Sequence, residues 1–482
     1  MPGVYRILFL FSLVLLVNFG LKGQPNTFYF MKGVVQTREM NPAKHGLESG
    51  YYVGLPFLSS VDLSANTNNW NFNDLVHRGA GLQKDSMIWD FENLLKTFDQ
   101  KNYLRESASL TFAEYGWKKK QNFFAVSISE HETAEPFFEK PLAEFLYYGN
   151  EPLIGTTFKS GDFGLMAQHY RQFAFTYSRQ NSRKLSTGIT GKLLFGMAGI
   201  ATKGIGFETE MPASGDQINF KGSGEMYLSG PVEILQSQPN GYDLQFSNSF
   251  KAGKYLLNFG NPGLAVDLGL TYKVLKNLEL SVSLIDLGFI NWRNNLSSLT
   301  EDGNFSYEGI QLNAPGKVPP TASSFQPLLD NLKDSIVKAF PLELTSQRFS
   351  TLLPAKLYLG GEYTVIKNVS IAALASIRMF KKQLFGSYTA SVNAVLGKSL
   401  TLTAAYTYFE STPNNLGMGL SYKFRGLQLY AATDNVVSPF YPNQASNLSI
   451  RVGINLLFPE PDRREQRRRA FVPKVRNKYH RF

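Results

Sequence analysis

Across residues 352–458 apolar and polar side chains alternate with a period of two, and that alternation constrains the fold more tightly than any other feature. In the last such run Leu448, Ile450, Val452, Ile454, Leu456 and Phe458 take the even positions, with Ser449, Arg451, Gly453 and Asn455 between them. Earlier, Leu416, Met418, Leu420, Tyr422 and Phe424 alternate with Gly417, Gly419, Ser421 and Lys423. Leu400, Leu402, Ala404, Tyr406 and Tyr408 alternate likewise with Thr401, Thr403, Ala405 and Thr407. Successive side chains of a strand point to opposite faces, so each run is a strand with one apolar face and one wet face. What the apolar face meets decides the class of protein.

Length and composition point to lipid. The runs reach the length of a tilted membrane strand, about 9–11 residues, whereas strands in soluble sheets average about 5–6. Their wet faces are Thr, Ser, Gly and Asn with occasional Lys356, Glu362, Arg378 and Lys423, as suits a lumen. Charged residues are 18% of the chain, below the usual quarter or so, and aromatics reach 14%. Beyond the N-terminus no run is long and apolar enough for a membrane helix, which needs about 20 residues. Barrels escape that test because only alternate residues face lipid. The expected fold is all-β, a transmembrane antiparallel β-barrel.

At the N-terminus Arg6 precedes an apolar run over residues 7–19, followed by small residues at Gly20 and Gly23. That is the pattern of a secretory signal over residues 1–23. The chain has no cysteine, which excludes a lipoprotein anchor, a disulfide scaffold and thiolate metal sites. The net charge of +11 sits mostly at the ends: the tail, residues 459–482, holds nine Lys and Arg against three Asp and Glu. The body keeps only about +3, too little to argue for nucleic acid, which the exported compartment also excludes.

Between the ends, residues 24–48 show little regular patterning and residues 49–458 carry the strands, the first of them at about 50–63. Three long insertions show helical spacing. They are residues 66–105 around Ile88, Phe91, Leu95 and Phe98, residues 136–148 around Phe138, Leu142 and Phe145, and residues 291–350 around Phe325, Leu328 and Ile336. Short turns near Lys118, Asn181, Lys276, Lys367, Gly397 and Arg425 join the strands. Outer-membrane barrels have short periplasmic turns and longer external loops. Placing the C-terminus in the periplasm puts all these short turns there and the helical insertions outside. Residues 202–262 are either one more membrane hairpin or a ribbon in an outer loop, giving sixteen or fourteen strands. Asp286 falls on the lipid-facing parity, which predicts a bulge near Gly288 or a place at the rim.

In the final strand Arg451, Gly453, Leu456 and Phe458 resemble the signal read by the outer-membrane assembly machinery: a polar residue, a glycine, a hydrophobe and an aromatic. The chain continues past Phe458, where many barrels stop. Asn41-Pro42-Ala43, residues 192–196, 265–272 and 286–292, and the stretch 429–458 carry a wider resemblance. Together they make the chain similar to the FadL-type (long-chain fatty-acid transporter-like) outer-membrane barrels, and most of all to an uncharacterised Bacteroidota family of such barrels. The resemblance implies fourteen strands, with residues 24–48 forming an N-terminal hatch in which Asn41, Pro42 and Ala43 match the hatch motif.

The five histidines make no metal-ligand spacing, and no glycine-flanked serine reads as a nucleophile elbow. No catalytic residue, metal or cofactor is expected, and the chain does not read as an enzyme. The functional expectation is transport of a hydrophobic or amphipathic small molecule across the outer membrane of a Gram-negative cell. Apolar loop helices would lead to a lumen gated at the hatch. The alternative is a scaffold barrel serving a type IX-like secretion or motility complex. Expected partners are outer-membrane lipid, the assembly machinery and a hydrophobic ligand. The basic tail, placed in the periplasm, is either a solvated end or a contact for anionic peptidoglycan or a periplasmic protein.

Overall fold

The computed structural model describes residues 26–460 apart from 69, 80–85, 150–152, 214–217, 239–240, 248–250, 252, 254, 256–257, 308–342, 382, 410–411, 439, 442 and 444. The expected signal, the basic tail beyond residue 460 and the helix around Phe325, Leu328 and Ile336 lie outside the described residues.

Fourteen antiparallel staves close into a barrel. In order they are Gly50–Gly54 continued by Val61–Thr67, then Lys101–Lys119, Asn122–Glu139, Gly164–Gln180, Leu185–Glu210, Pro262–Lys273 and Leu278–Trp292. Lys356–Ile366, Val369–Phe380, Gln383–Leu396, Leu400–Phe409, Thr412–Phe424, Leu427–Thr433 and Asn447–Phe458 complete the ring. The first stave pairs with both the second and the last, Tyr51 lying opposite Phe458 and Val61 opposite Val452. Closure gives every wall strand a partner on each side.

The two faces follow the alternation. Leu402, Tyr406, Tyr408, Leu416, Met418, Leu420 and Tyr422 are exposed on the outside, while Thr403, Thr407 and Ser421 are buried inside. In the last strand Val452, Leu456 and Phe458 face out, and Ser449, Arg451 and Asn455 face in. Leu448 keeps the outer parity of Ile450 and Val452 but is buried. Near the short turns, stacked aromatics such as Tyr51 on Phe458, Trp117 on Phe124 and Tyr422 on Phe424 form part of a girdle of the kind found at a membrane interface.

Several element boundaries differ from the sequence expectation. Ile88 is not helical: it sits in the short strand Met87–Trp89, opposite His77. The reason is a cap. Asp90 accepts a hydrogen bond from Asn93 N at 2.8 Å, so the helix Phe91–Thr97, which holds Phe91 and Leu95, starts only after it. Phe138 likewise belongs to the strand ending at Glu139, and the helix Lys140–Tyr148 keeps only Leu142 and Phe145.

The first strand is interrupted: residues 55–60 stand opposite only residues 453–454 of the last strand. The surplus pushes Phe57 and Leu58 outward. The described residues between 202 and 261 add no stave. The long strand Leu185–Glu210 forks, pairing below with Pro262–Lys273 and above with Ile218–Ser229, which in turn pairs with Leu296–Tyr307. At the fork Trp292, fully buried, packs on Gly196 and Gly199, where a Cβ would overlap its ring.

Candidate functional site

Residues 26–48 contain too little regular pattern to build a core of their own, and the lumen supplies one. Two short 3-10 turns, Asn26–Phe30 and Val35–Glu39, lie inside the barrel. Phe28, Tyr29, Phe30, Met31, Val34 and Met40 pack with the wall residues Ile285, Tyr358, Leu374 and Tyr430. The wall makes room with glycine: a Cβ on Gly269 would overlap Asn41, one on Gly188 would overlap Pro42, and one on Gly419 would press on Met31. Asn41 is fully buried. Its Nδ2 donates to the Tyr29 hydroxyl at 3.0 Å and its Oδ1 accepts from Ala43 N at 3.0 Å. Asn41, Pro42 and Ala43 thus form one tight turn seated on bare wall backbone, a local use of Asn and Pro that their turn chemistry favours.

Polar contacts latch the segment at several heights. Asp434 accepts from Asn26 N at 2.9 Å and Thr27 N at 2.7 Å. Gln36 and Asn455 exchange reciprocal amide hydrogen bonds of 2.7 and 3.0 Å. Arg38 meets Glu114 at 2.7 Å, and the Tyr52 hydroxyl donates to the same carboxylate at 2.5 Å. Arg451 bridges Asp62, at 2.6 Å, to Glu39 of the hatch, at 3.2 Å. The final strand, read from sequence as an assembly signal through Arg451, Gly453, Leu456 and Phe458, is therefore also a docking strand for the plug. Lys32 pairs with Glu362, and the Lys423 ammonium lies over Gly33. Lower down, His45 stacks on Phe123 at 4.4 Å, and burial, helped by the Lys118 cation, pushes its pKa down to about 3.

Beyond the hatch the lumen holds a chamber of about 160 Å³. Ser64, Ser107, Ser109, Ser127 and Thr133 line it together with paired charges. Lys192 lies between Asp267, at 2.8 Å, and Asp286, at 2.6 Å, and Lys356 reaches Asp286 at 3.3 Å. Asp286 sits at a positive φ of 61° where the pairing register slips opposite Val266 and Leu268. That bulge turns its carboxylate into the lumen, as its parity required. Across the ring, Glu135 of the third stave receives Arg105 of the second, at 3.1 Å, and Arg378 of the ninth. All of Lys356, Glu362, Arg378 and Lys423 are on the inner face and carry these or the hatch contacts.

Sequence reasoning did not single out Arg105, Glu135, Lys192 or Asp267. Glu135, Lys192 and Asp267 lie at lumen-parity positions of their strands, and a charge there was the signal that could have found them; Arg105 faces the lumen only because the register slips between Thr111 and Ala113. Ser129 and His131 share one strand, and the serine hydroxyl lies 2.8 Å from the imidazole Nε2. No carboxylate hydrogen-bonds to His131 among the described residues, so the pair lacks the orienting third group of a hydrolytic triad. Among the described residues no three His, Cys, Asp or Glu side chains come together as metal ligands. On the loops, Phe91 stacks with Trp89 and Tyr147, each at 6.1 Å, while Leu95 is buried.

A family model described as a family of unknown function (DUF5723) matches residues 42–434. No curated protein matches the chain. Among solved structures it is similar to the Ralstonia pickettii toluene transporter TbuX, at 10% identity and a TM-score of 0.43, over 91% of this chain and 100% of that one. It is similar also to the P. putida toluene transporter TodX, at 11% identity and a TM-score of 0.38, over 89% and 94% of the two chains. A Pseudomonas aeruginosa FadL homologue matches at 10% identity and a TM-score of 0.36, over 91% and 96%.

Proposed function

The chain belongs to the family of unknown function DUF5723, and we propose that it is an outer-membrane barrel that moves an amphipathic small molecule past a displaceable N-terminal hatch. One observation carries this reading. Residues 26–48 fill the lumen through side-chain packing, hydrogen bonds and ion pairs, without joining the sheet that forms the wall. A plug held that way can yield while the ring of strands stays closed.

The chamber beyond it narrows the solute. Its lining mixes hydroxyls and paired charges with the apolar Met40, Ile285 and Pro354, and a bare hydrocarbon would strip water from the polar groups without replacing their hydrogen bonds. An amphiphile with a polar part meets them better than a purely hydrophobic molecule. In this reading the short turns face the periplasm and the helix-bearing loops face outward.

Deleting residues 26–48 tests it in planar lipid bilayers. The intact protein should stay closed, and the hatch-less barrel should conduct in discrete steps. In cells, loss of the protein should slow accumulation of an acyl-chain amphiphile. A folded hatch-less barrel no more conductive than the intact one would sink the proposal.

A further inference from the structure

The six short turns lie at one end of the barrel, one at every second strand junction, and each of them presents a cation. Lys120, Arg183, Lys276, Lys367, Lys398 and Arg425 are all exposed there. Outside the lumen, the described carboxylates at this end are Glu48, Glu279 and Glu460. None of the six cations forms an ion pair among the described residues. At the loop end charges of both signs are interspersed, and Lys101, Lys159, Lys203 and Lys381 each pair with a carboxylate. The turn end carries a one-signed rim.

Turn geometry does not ask for these side chains. Lys120 and Arg425 sit at positive φ, 56° and 48°, where Gly or Asn is the easier residue. A long cation at such a position keeps charge at the tip of the turn at the expense of backbone ease.

The aromatic girdle sets the depth of the rim. Trp117 stacks on Phe124 and Tyr422 on Phe424 close to their turns, and the Arg425 guanidinium lies over the Phe424 ring at 5.1 Å. Rings of this kind mark the membrane interface, so cations just beyond them stand at the level of lipid phosphates. A long basic side chain rests its stem on apolar surface there and keeps its charge in water.

We propose that the turn end is a collar that binds anionic phospholipid headgroups and holds them against the barrel in preference to zwitterionic ones. Cations spaced around the whole perimeter make separate phosphate contacts, each of the modest strength of an exposed ion pair. Their summed charge draws anionic lipid to the rim. A perimeter at headgroup depth fits a leaflet better than a soluble polymer such as peptidoglycan, which a projecting face would suit. The collar belongs to the turns and depends neither on passage through the hatch nor on which compartment they face.

The test reconstitutes the full-length barrel in phosphatidylcholine vesicles holding a trace of spin-labelled phosphatidylglycerol or spin-labelled phosphatidylcholine. Electron paramagnetic resonance reads the motionally restricted fraction of each label. Both leaflets carry the same lipids, so the direction of insertion does not affect the reading. In dilute buffer phosphatidylglycerol should be preferred about threefold, the scale of exposed ion pairs. Salt at about 1 M, where the screening length is about 3 Å, should abolish the preference. Changing all six cations to Gln should remove most of it although the C-terminal tail is retained, and exchanging Lys for Arg and Arg for Lys should preserve it. Where the sixfold variant fails the heat-modifiable gel shift of a folded barrel, Lys276→Gln, Lys367→Gln and Lys398→Gln together should remove part of it. The proposal is overturned if the parent shows no preference, if the preference survives high salt, or if folded Gln variants keep it. It is overturned also if those variants lose only co-sedimentation with purified peptidoglycan, which would assign the rim to that polymer.

Discussion

Glu135 illustrates how a single side chain can span this molecule. It lies between Arg105 and Arg378, on staves from opposite sides of the ring, and all three are buried. Removing one member of a buried ionic cluster leaves the others uncompensated, at a cost of about 3–5 kcal/mol. Glu135→Leu should therefore lower the unfolding free energy of the refolded barrel by an amount of that order, read from urea titrations followed by tryptophan fluorescence. Replacing all three residues by apolar ones of similar volume should restore most of it. His45 makes a second residue-scale case. Its pKa is held at about 3 in the plugged state, against about 6.5 in a solvated chain. Above pH 6.5 the ring is neutral in both states and the plug has its full stability. As pH falls from 6.5 towards 3 only the released segment takes up a proton, so the plug loosens over that window. Limited proteolysis within residues 26–48 should be faster at pH 4.5 than at pH 7.5, and a His45→Phe variant should lose that difference.

At the scale of elements, the strands were legible and the plug only half so. Alternation marks a wall strand because lipid and lumen impose opposite demands on successive residues, which is why the bulge at Asp286 could be anticipated from parity alone. Helix starts were less legible: spacing placed Ile88 in a helix, but the Asp90 cap excludes it, and a cap is one hydrogen bond rather than a pattern. The hatch carries no period at all. Its path is written in the wall, at glycines such as Gly269 that would otherwise occupy the space of Asn41. Gly269→Val should displace the Asn41-Pro42 turn while leaving the strand intact. The expected outcome is a folded barrel with raised bilayer conductance and faster hydrogen exchange confined to the hatch.

For the whole molecule the decisive property is which way each face looks. Met418 stands midway along Thr412–Phe424 and is exposed on the outer wall. Met418→Arg should cost about 2–4 kcal/mol in folding from urea into lipid vesicles, the range for a cation at the bilayer midplane. An equivalent loss in neither vesicles nor cells would argue that this wall does not face lipid. The sequence by itself determined the two-faced strands and their inner and outer parity, because these depend on neighbours only two residues apart. Only the tertiary structure decided that residues 202–210 and 218–229 pair as a ribbon, that charges far apart in the chain meet across the lumen, and that the last strand also grips the plug. Those outcomes depend on which distant strands become neighbours when the ring closes, and no local period records that.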